Sequence, residues 1–116
     1  MIIRDRIYIY QGDTFEKEIV ITDHQPDGLY RYIPEAEDDI TLHLYTLSGE
    51  TVNDYKADMS DLEHITVGID STELDTGTYL YDVIIKIKGE CEEESEYEET
   101  HHIITGQEIV IGGNDV

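Results

Sequence analysis

The sequence predicts one all-β domain, a β-sandwich of about seven antiparallel strands with a single short helical turn at residues 71–75. Its 116 residues suffice to bury one core without disulfides or metals. The apolar residues are mostly Ile, Val, Leu and Tyr, which suit a pleated surface, whereas Trp is absent. Apolar and polar residues also alternate along much of the chain, which is the period of a strand. We expect the domain to span 1–111, with 112–116 as a C-terminal tail.

The first two strands are predicted in "RIYIY" at 6–10 and "TFEKEIVIT" at 14–22, with Gly12 at the bend between them. The next stretch, 23–39, contains both prolines of the chain. This composition indicates a long connection, with a short extended piece at 29–33.

The middle of the chain predicts three more strands. In "ITLHLYT", at 40–46, the alternation places Ile40, Leu42 and Leu44 on one face. "SGE" at 48–50 then turns the chain into a weaker strand over 51–55, which completes a hairpin. "HITVGI", at 64–69, alternates again, and its inward residues are Ile65, Val67 and Ile69.

A corner and the longest strand follow. Ser71 can cap the free amides of "TELD", which predicts the helical turn, and Leu74 is the apolar residue expected to close the end of the core. Gly77 then permits the backbone geometry that reverses the chain. The strand after it carries one apolar face, formed by Tyr79, Tyr81, Val83, Ile85 and Ile87.

The last part of the chain combines an acidic hairpin with a final strand. "GECEEESEYEET", at 89–100, holds seven glutamates and no basic residue. Because such dense like charge cannot be buried, we expect the 90–99 hairpin to project into water and to be mobile. "HHIITGQEIVIGG" then closes the sheet.

Charge and composition exclude several classes of function. Seven basic against 28 acidic side chains give a net charge of −21, which repels nucleic acids and anionic membranes. The single cysteine, Cys91, excludes an intrachain disulfide. Charges at Arg4, Asp5 and Arg6 interrupt the place where a signal peptide needs its apolar core, and no apolar run is long enough to span a membrane. We expect a soluble protein without an export signal.

No catalytic or cofactor-binding constellation is predicted. Asp70, Glu73 and Asp75 lie together at the corner, where carboxylates commonly cap turns. Cys91 lies among glutamates, which raise the pKa of a thiol. His101 and His102 are adjacent on a strand and point to opposite faces, so that they cannot chelate one metal together.

The stretch "DTGTYLY" resembles the tyrosine corner that precedes the penultimate strand of immunoglobulin-like sandwiches. Its residues are Asp75, Gly77 and Tyr79, and Tyr81 stands where antibody domains have a cysteine. The resemblance implies a hydrogen bond from the Tyr79 hydroxyl back to the main chain near Asp75. It also implies that the sandwich is immunoglobulin-like.

The order of the motifs resembles small β-sandwich proteins of tailed phages and prophages. "QGDT" near the start and "GTYLYDV" late in the chain are the most specific pieces. The similarity is to the immunoglobulin-like N-terminal domain of phage baseplate upper proteins. It implies a non-enzymatic baseplate or tail-associated protein that contacts other phage structural proteins and can form a homo-oligomer, in the virion or in the host cytoplasm before assembly. Tyr8 and Tyr10 are the expected interaction surface.

A second class of function stays open at this point. Adhesion-type sandwiches bind calcium or carbohydrate at acidic end loops, and "PEAEDD" at 34–39 or the 90–99 hairpin could supply oxygen ligands. Neither acidic stretch near 54–81 matches an EF-hand loop.

Overall fold

The computed structural model describes residues 6–93 and 96–113, which form nine β-strands and no helix. The strand bounds are β1 Ile7–Tyr10, β2 Thr14–Ile19, β3 Ile21–Gln25, β4 Gly28–Tyr32, β5 Asp39–Thr46, β6 Thr51–Lys56, β7 Ile65–Asp70, β8 Gly77–Ile87 and β9 Glu99–Gly112. The all-β prediction is therefore confirmed. No helix in the described ranges is long and apolar enough to cross a membrane.

The strands form one large sheet and two small ones. The five-stranded sheet has the order β1-β9-β8-β5-β6, β2 pairs with β7, and β3 pairs with β4. The five-stranded sheet and the β2–β7 sheet contribute to one hydrophobic core, which contains Ile19, Ile40, Leu42, Leu44, Ile65, Val67, Ile69, Leu74, Tyr79, Tyr81, Val83, Ile85, Ile109 and Ile111. This arrangement is consistent with a β-sandwich.

The predicted inward faces of the central strands are confirmed by their burial. Ile40, Leu42 and Leu44 on β5 are at most 1% exposed, and every inward residue predicted on β7 is buried as well. On β8 the burial alternates from Tyr79 to Ile85. Leu74, at 8% exposure, closes the end of the core as expected. Period-two alternation locates these faces because one side of each strand is buried and the other is not.

One pairing differs from the antiparallel prediction. β1 runs parallel to β9, and the register continues from Ile7 opposite Ile109 to Tyr10 opposite Gly112. Gly112, which was expected to begin the tail, is thus the last residue of β9. Gly113 follows the strand, and the rest of that predicted tail, 114–116, lies outside the described residues.

The structure has nine strands where about seven were predicted, because the second predicted strand changes partner at Val20 and a further strand, β4, follows it. β2 pairs with β7 as far as Ile19 opposite Ile65. The chain then continues into β3, which pairs with β4 around the turn at Pro26 and Asp27. The predicted long connection is therefore mainly a hairpin, with a loop only from 33 to 38.

The predicted helical turn at 71–75 is not a helix in the structure. A single turn forms, in which the Leu74 amide donates to the Ser71 carbonyl. Asp70, rather than Ser71, accepts from the Thr72 amide, at 3.0 Å. The buried Ser71 hydroxyl instead accepts from the Gly12 amide, at 2.9 Å, and donates to the Asp13 carbonyl, at 2.6 Å. Ser71 therefore ties the corner to the β1–β2 turn, a contact between distant parts of the chain.

The described part of the acidic hairpin is anchored at its base. Lys86 and Lys88 place their ammonium groups over the Tyr97 ring, 5.7 and 5.4 Å from its centroid. Lys88 is only 7% exposed and donates to the Glu96 carbonyl at 2.9 Å. Residues 94 and 95, part of the hairpin expected to project into water, lie outside the described residues.

Candidate functional site

The residues of the predicted tyrosine corner lie together at the start of β8. The Tyr79 hydroxyl donates to the Asp75 carbonyl oxygen at 2.7 Å, which is the bond that the corner resemblance implies. Gly77 adopts a φ of 148°, a backbone region that side chains disfavour. Burial, followed by the nearby Asp75 charge, raises the pKa of Tyr79. The corner sets the start of β8 and offers no reactive group. The sequence predicted β8 as the longest strand, but β8 has 11 residues and β9 has 14.

Tyr81, two residues further along β8, is fully buried. Its ring lies 6.2 Å from that of Phe15, so it fills space between the two sheets. Among the described residues, its hydroxyl is the only buried side-chain oxygen or nitrogen without a hydrogen-bond partner. Burial accordingly raises its pKa.

Tyr8 and Tyr10, the expected interaction surface, point outward from the edge strand β1. They are 60% and 52% exposed, and their rings meet edge to face with centroids 5.7 Å apart. Gly112 lies beneath Tyr8, so closely that an added Cβ would overlap the tyrosine hydroxyl and ring. The missing side chain at Gly112 lets the Tyr8 ring lie flat against β9.

Two of the four carboxylates proposed as calcium ligands at 34–39, those of Asp38 and Asp39, already have protein partners. Asp38 is 5% exposed and accepts from the Tyr32 hydroxyl at 2.7 Å and from the amides of Glu35 and Lys88 at 3.0 and 2.9 Å. Asp39 contacts the Lys56 ammonium at 2.6 Å. In the described ranges, no group of three or more His, Cys, Asp or Glu side chains is arranged to hold a metal ion.

Of the three carboxylates predicted at the corner, that of Asp70 is bonded within the turn. Asp70 accepts from both the amide and the hydroxyl of Thr72, at 3.0 and 2.6 Å. These hydrogen bonds lower its pKa. The arrangement matches the turn chemistry expected for this acidic group.

The histidines separate into two kinds of environment. His43 contacts Asp54 at 2.6 Å and stacks on Tyr45, and His64 contacts Glu18 at 2.7 Å. His24, His101 and His102 instead line a common groove. Of the other histidines, only His24 shares the groove with His101 and His102.

This groove, of about 410 Å³, lies between β3 and the first half of β9. We call it the β3–β9 groove. It is lined by Val20, Ile21, Thr22, Asp23, His24, Tyr32, Ile85, Ile87, Glu99, His101, His102 and Ile103.

Sequence reasoning missed both the β3–β9 groove and the role of Asp38. Asp38 is one of four acidic residues in "PEAEDD", and no local pattern distinguishes it from its neighbours. The groove depends on the β3–β4 hairpin, for which "QPDGL" was the available signal, since Pro-Asp-Gly is typical of tight turns.

Comparison of the chain with protein-family models, with curated proteins and with solved structures gives no match. Function therefore has to be argued from the chain's own residues.

Proposed function

We propose that this protein is a non-enzymatic structural component of a phage or prophage particle, associated with the baseplate or tail, that acts through protein–protein contacts. The observation that carries the proposal is the exposed pair Tyr8 and Tyr10 on the edge strand β1. Tyrosines are enriched where protein surfaces meet, since each ring buries a large area at a low cost in side-chain entropy.

The strand order supports an immunoglobulin-like version of the sandwich. The order β9-β8-β5-β6 corresponds to the G-F-C-C′ order of variable-type immunoglobulin sheets, and β2–β7 corresponds to the B–E pair of the facing sheet. The tyrosine-corner bond at the start of β8 lies where that fold has it. Together with "QGDT" and "GTYLYDV", these features favour the resemblance to the baseplate domain.

The position of the tyrosines also suits an assembly contact. β1 pairs with β9 on one side, and no described strand lies on its other side. An edge strand of this kind can pair with a strand of a neighbouring subunit. Tyr8 and Tyr10 would then pack against that neighbour, while the net charge of −21 disfavours contacts with unrelated acidic surfaces.

The test is size-exclusion chromatography with light scattering over a range of concentrations, on the chain alone and after co-expression with each neighbouring gene product. Tyr8→Ser/Tyr10→Ser is the variant, and Leu47→Ser is the control because Leu47 is 66% exposed in a different place, the β5–β6 turn. We expect a discrete oligomer or complex that the double variant loses and the control keeps.

Two results would overturn the proposal. A chain that stays monomeric at every concentration, and joins none of the neighbouring products, has no assembly role. Association that requires calcium and disappears with chelator would instead indicate the ligand-binding class of sandwich.

A further inference from the structure

The β3–β9 groove is an open extension of the sandwich interior. Its floor is apolar and comes from the five-stranded sheet, through Ile85, Ile87 and Ile103. The facing sheet does not cover this floor, because the β2–β7 pairing ends at Ile19 opposite Ile65. β3 forms the opposite wall instead and leaves the space of about 410 Å³ open.

Negative charge surrounds this apolar floor. Asp23 and Glu99 line the groove, and the Glu99 carboxylate contacts only the neighbouring His101 among the described side chains, at 3.0 Å. The Tyr32 phenol in the wall donates to the Asp38 carboxylate at 2.7 Å. Burial first, then the charges of Asp38, Glu35 and Glu99, raises the pKa of this phenol. The groove is therefore an acidic site with an apolar base.

Among the described residues, no ion pair joins Asp23 or Glu99 to a lysine or an arginine. Arg31 donates to the carbonyl oxygen of Glu63, and Lys86 and Lys88 lie over the Tyr97 ring. An occupant that carries positive charge would find uncompensated carboxylates at the rim.

We propose that the β3–β9 groove binds an extended segment of a partner protein in which apolar and basic side chains alternate. Its length suits such a segment, since five consecutive residues line the groove, Val20 and the first four residues of β3, and they span about 16 Å at the rise of a strand. In an extended chain, successive side chains point to opposite sides, so apolar ones can contact Ile87 and Ile103 while Lys or Arg reach Asp23 and Glu99.

A second copy of this chain does not fit as the occupant. The occupant needs basic side chains at the acidic rim, whereas this chain has 28 acidic and only seven basic residues. This argument concerns the groove alone and does not oppose an oligomer that forms through β1. The proposed site is also separate from the tyrosine pair, because Tyr8 and Tyr10 lie beside Val110 and Gly112, at the opposite end of β9. The groove proposal can therefore be tested independently of the assembly contact proposed above.

The experiment titrates the full chain with a synthetic peptide of about nine residues that alternates Lys and Val, long enough for the groove at the rise of a strand. Calorimetry measures affinity, and backbone amide chemical shifts locate the contact. A peptide of equal composition with all valines grouped at one end controls for charge alone. We expect the alternating peptide to bind more tightly and to shift amides in β3 and at 99–103.

A matched pair of chain variants tests the rim. Asp23→Asn/Glu99→Gln removes two charges from the groove, whereas Glu50→Gln/Glu73→Gln removes two exposed charges elsewhere. We expect the groove variant to weaken binding by about tenfold and the control by less than about twofold. Val20→Ser, at a 59% exposed position of the wall, tests the apolar contact without disturbing the core.

If the two charge variants lost peptide affinity equally, the binding would be a general attraction between a cationic peptide and an acidic protein. That result would overturn the proposal. Equal affinity for the two peptides, or amide shifts confined to β1, would do the same.

Discussion

Tyr81 carries a hydroxyl that is buried in the core with no hydrogen-bond partner among the described residues. Such a group has lost its water without gaining a protein contact, which costs about 1–3 kcal/mol. Tyr81→Phe removes the oxygen and keeps the ring against Phe15. We expect the variant to raise the free energy of unfolding by about 1 kcal/mol, measured by urea denaturation at neutral pH.

Tyr79→Phe is the matched control, since it makes the same chemical change two residues away on β8. Here the hydroxyl donates to the Asp75 carbonyl, so its loss should lower the free energy of unfolding by about 1 kcal/mol. If the free energy of unfolding rose in Tyr81→Phe and fell in Tyr79→Phe, the hydrogen bond, and not the ring, would decide the effect of removing the hydroxyl. Destabilisation by both would show that Tyr81 has a partner in solution.

At the scale of elements, Asp38 connects three segments that the sequence separates. Its carboxylate joins the end of β4 through Tyr32, the 33–38 loop through the Glu35 amide and the end of β8 through the Lys88 amide. Asp38→Asn turns one acceptor into a donor that faces other donors. We expect a loss of about 2 kcal/mol in the free energy of unfolding.

Asp39→Asn is the control for Asp38→Asn in the same urea experiment. The Asp39 partner, Lys56, has a side chain that is 73% exposed, so this ion pair should contribute less than about 1 kcal/mol. Equal losses for the two variants would contradict the view that Asp38 is the connection between the hairpin and the sandwich.

Strands could be predicted well where their own sequence shows which side is buried. β5, β7 and β8 could be predicted together with their inward faces, because each buries one side and leaves the other partly exposed. β3 and β4 were predicted only in part, as the end of the second strand and a short extended piece at 29–33, since they are mostly exposed and carry weak alternation. The parallel β1–β9 pairing and the β3–β9 groove depend on contacts between residues far apart in the chain, which local patterns do not encode.

At the scale of the whole molecule, the shape leaves apolar surface exposed. The Cα radius of gyration is 15.8 Å, compared with about 13 Å for a compact domain of this length. The β3–β4 hairpin forms a separate two-stranded sheet, and Val20, Leu29 and Ile33 on or beside it are 45–63% exposed. The molecule is therefore less compact than a typical domain of its length, and part of its apolar surface is open to contact with a partner.

Several tyrosines make the whole fold sensitive to alkaline pH. Five phenols have pKa values raised above the ordinary 10.0: Tyr30, Tyr32, Tyr45, Tyr79 and Tyr81. Burial is the largest cause for four of them, whereas at Tyr30 the hydrogen bond to Asp27 contributes most. As the pH passes 10, the unfolded chain loses these protons before the folded chain does. The unfolded state then binds fewer protons, so the free energy of unfolding falls as the pH rises.

We therefore expect stability to be retained below about pH 10 and lost progressively above it, measured by urea unfolding at a series of pH values with phenolate absorbance followed in parallel. Repulsion within a chain of net charge −21 acts in the same direction, but salt screens it, whereas salt does not solvate a buried phenol. The decline should thus persist in high salt and be smaller in Tyr81→Phe, which has one fewer buried phenol. If all nine tyrosines ionised while the fold stayed intact, burial would not be holding these protons in place.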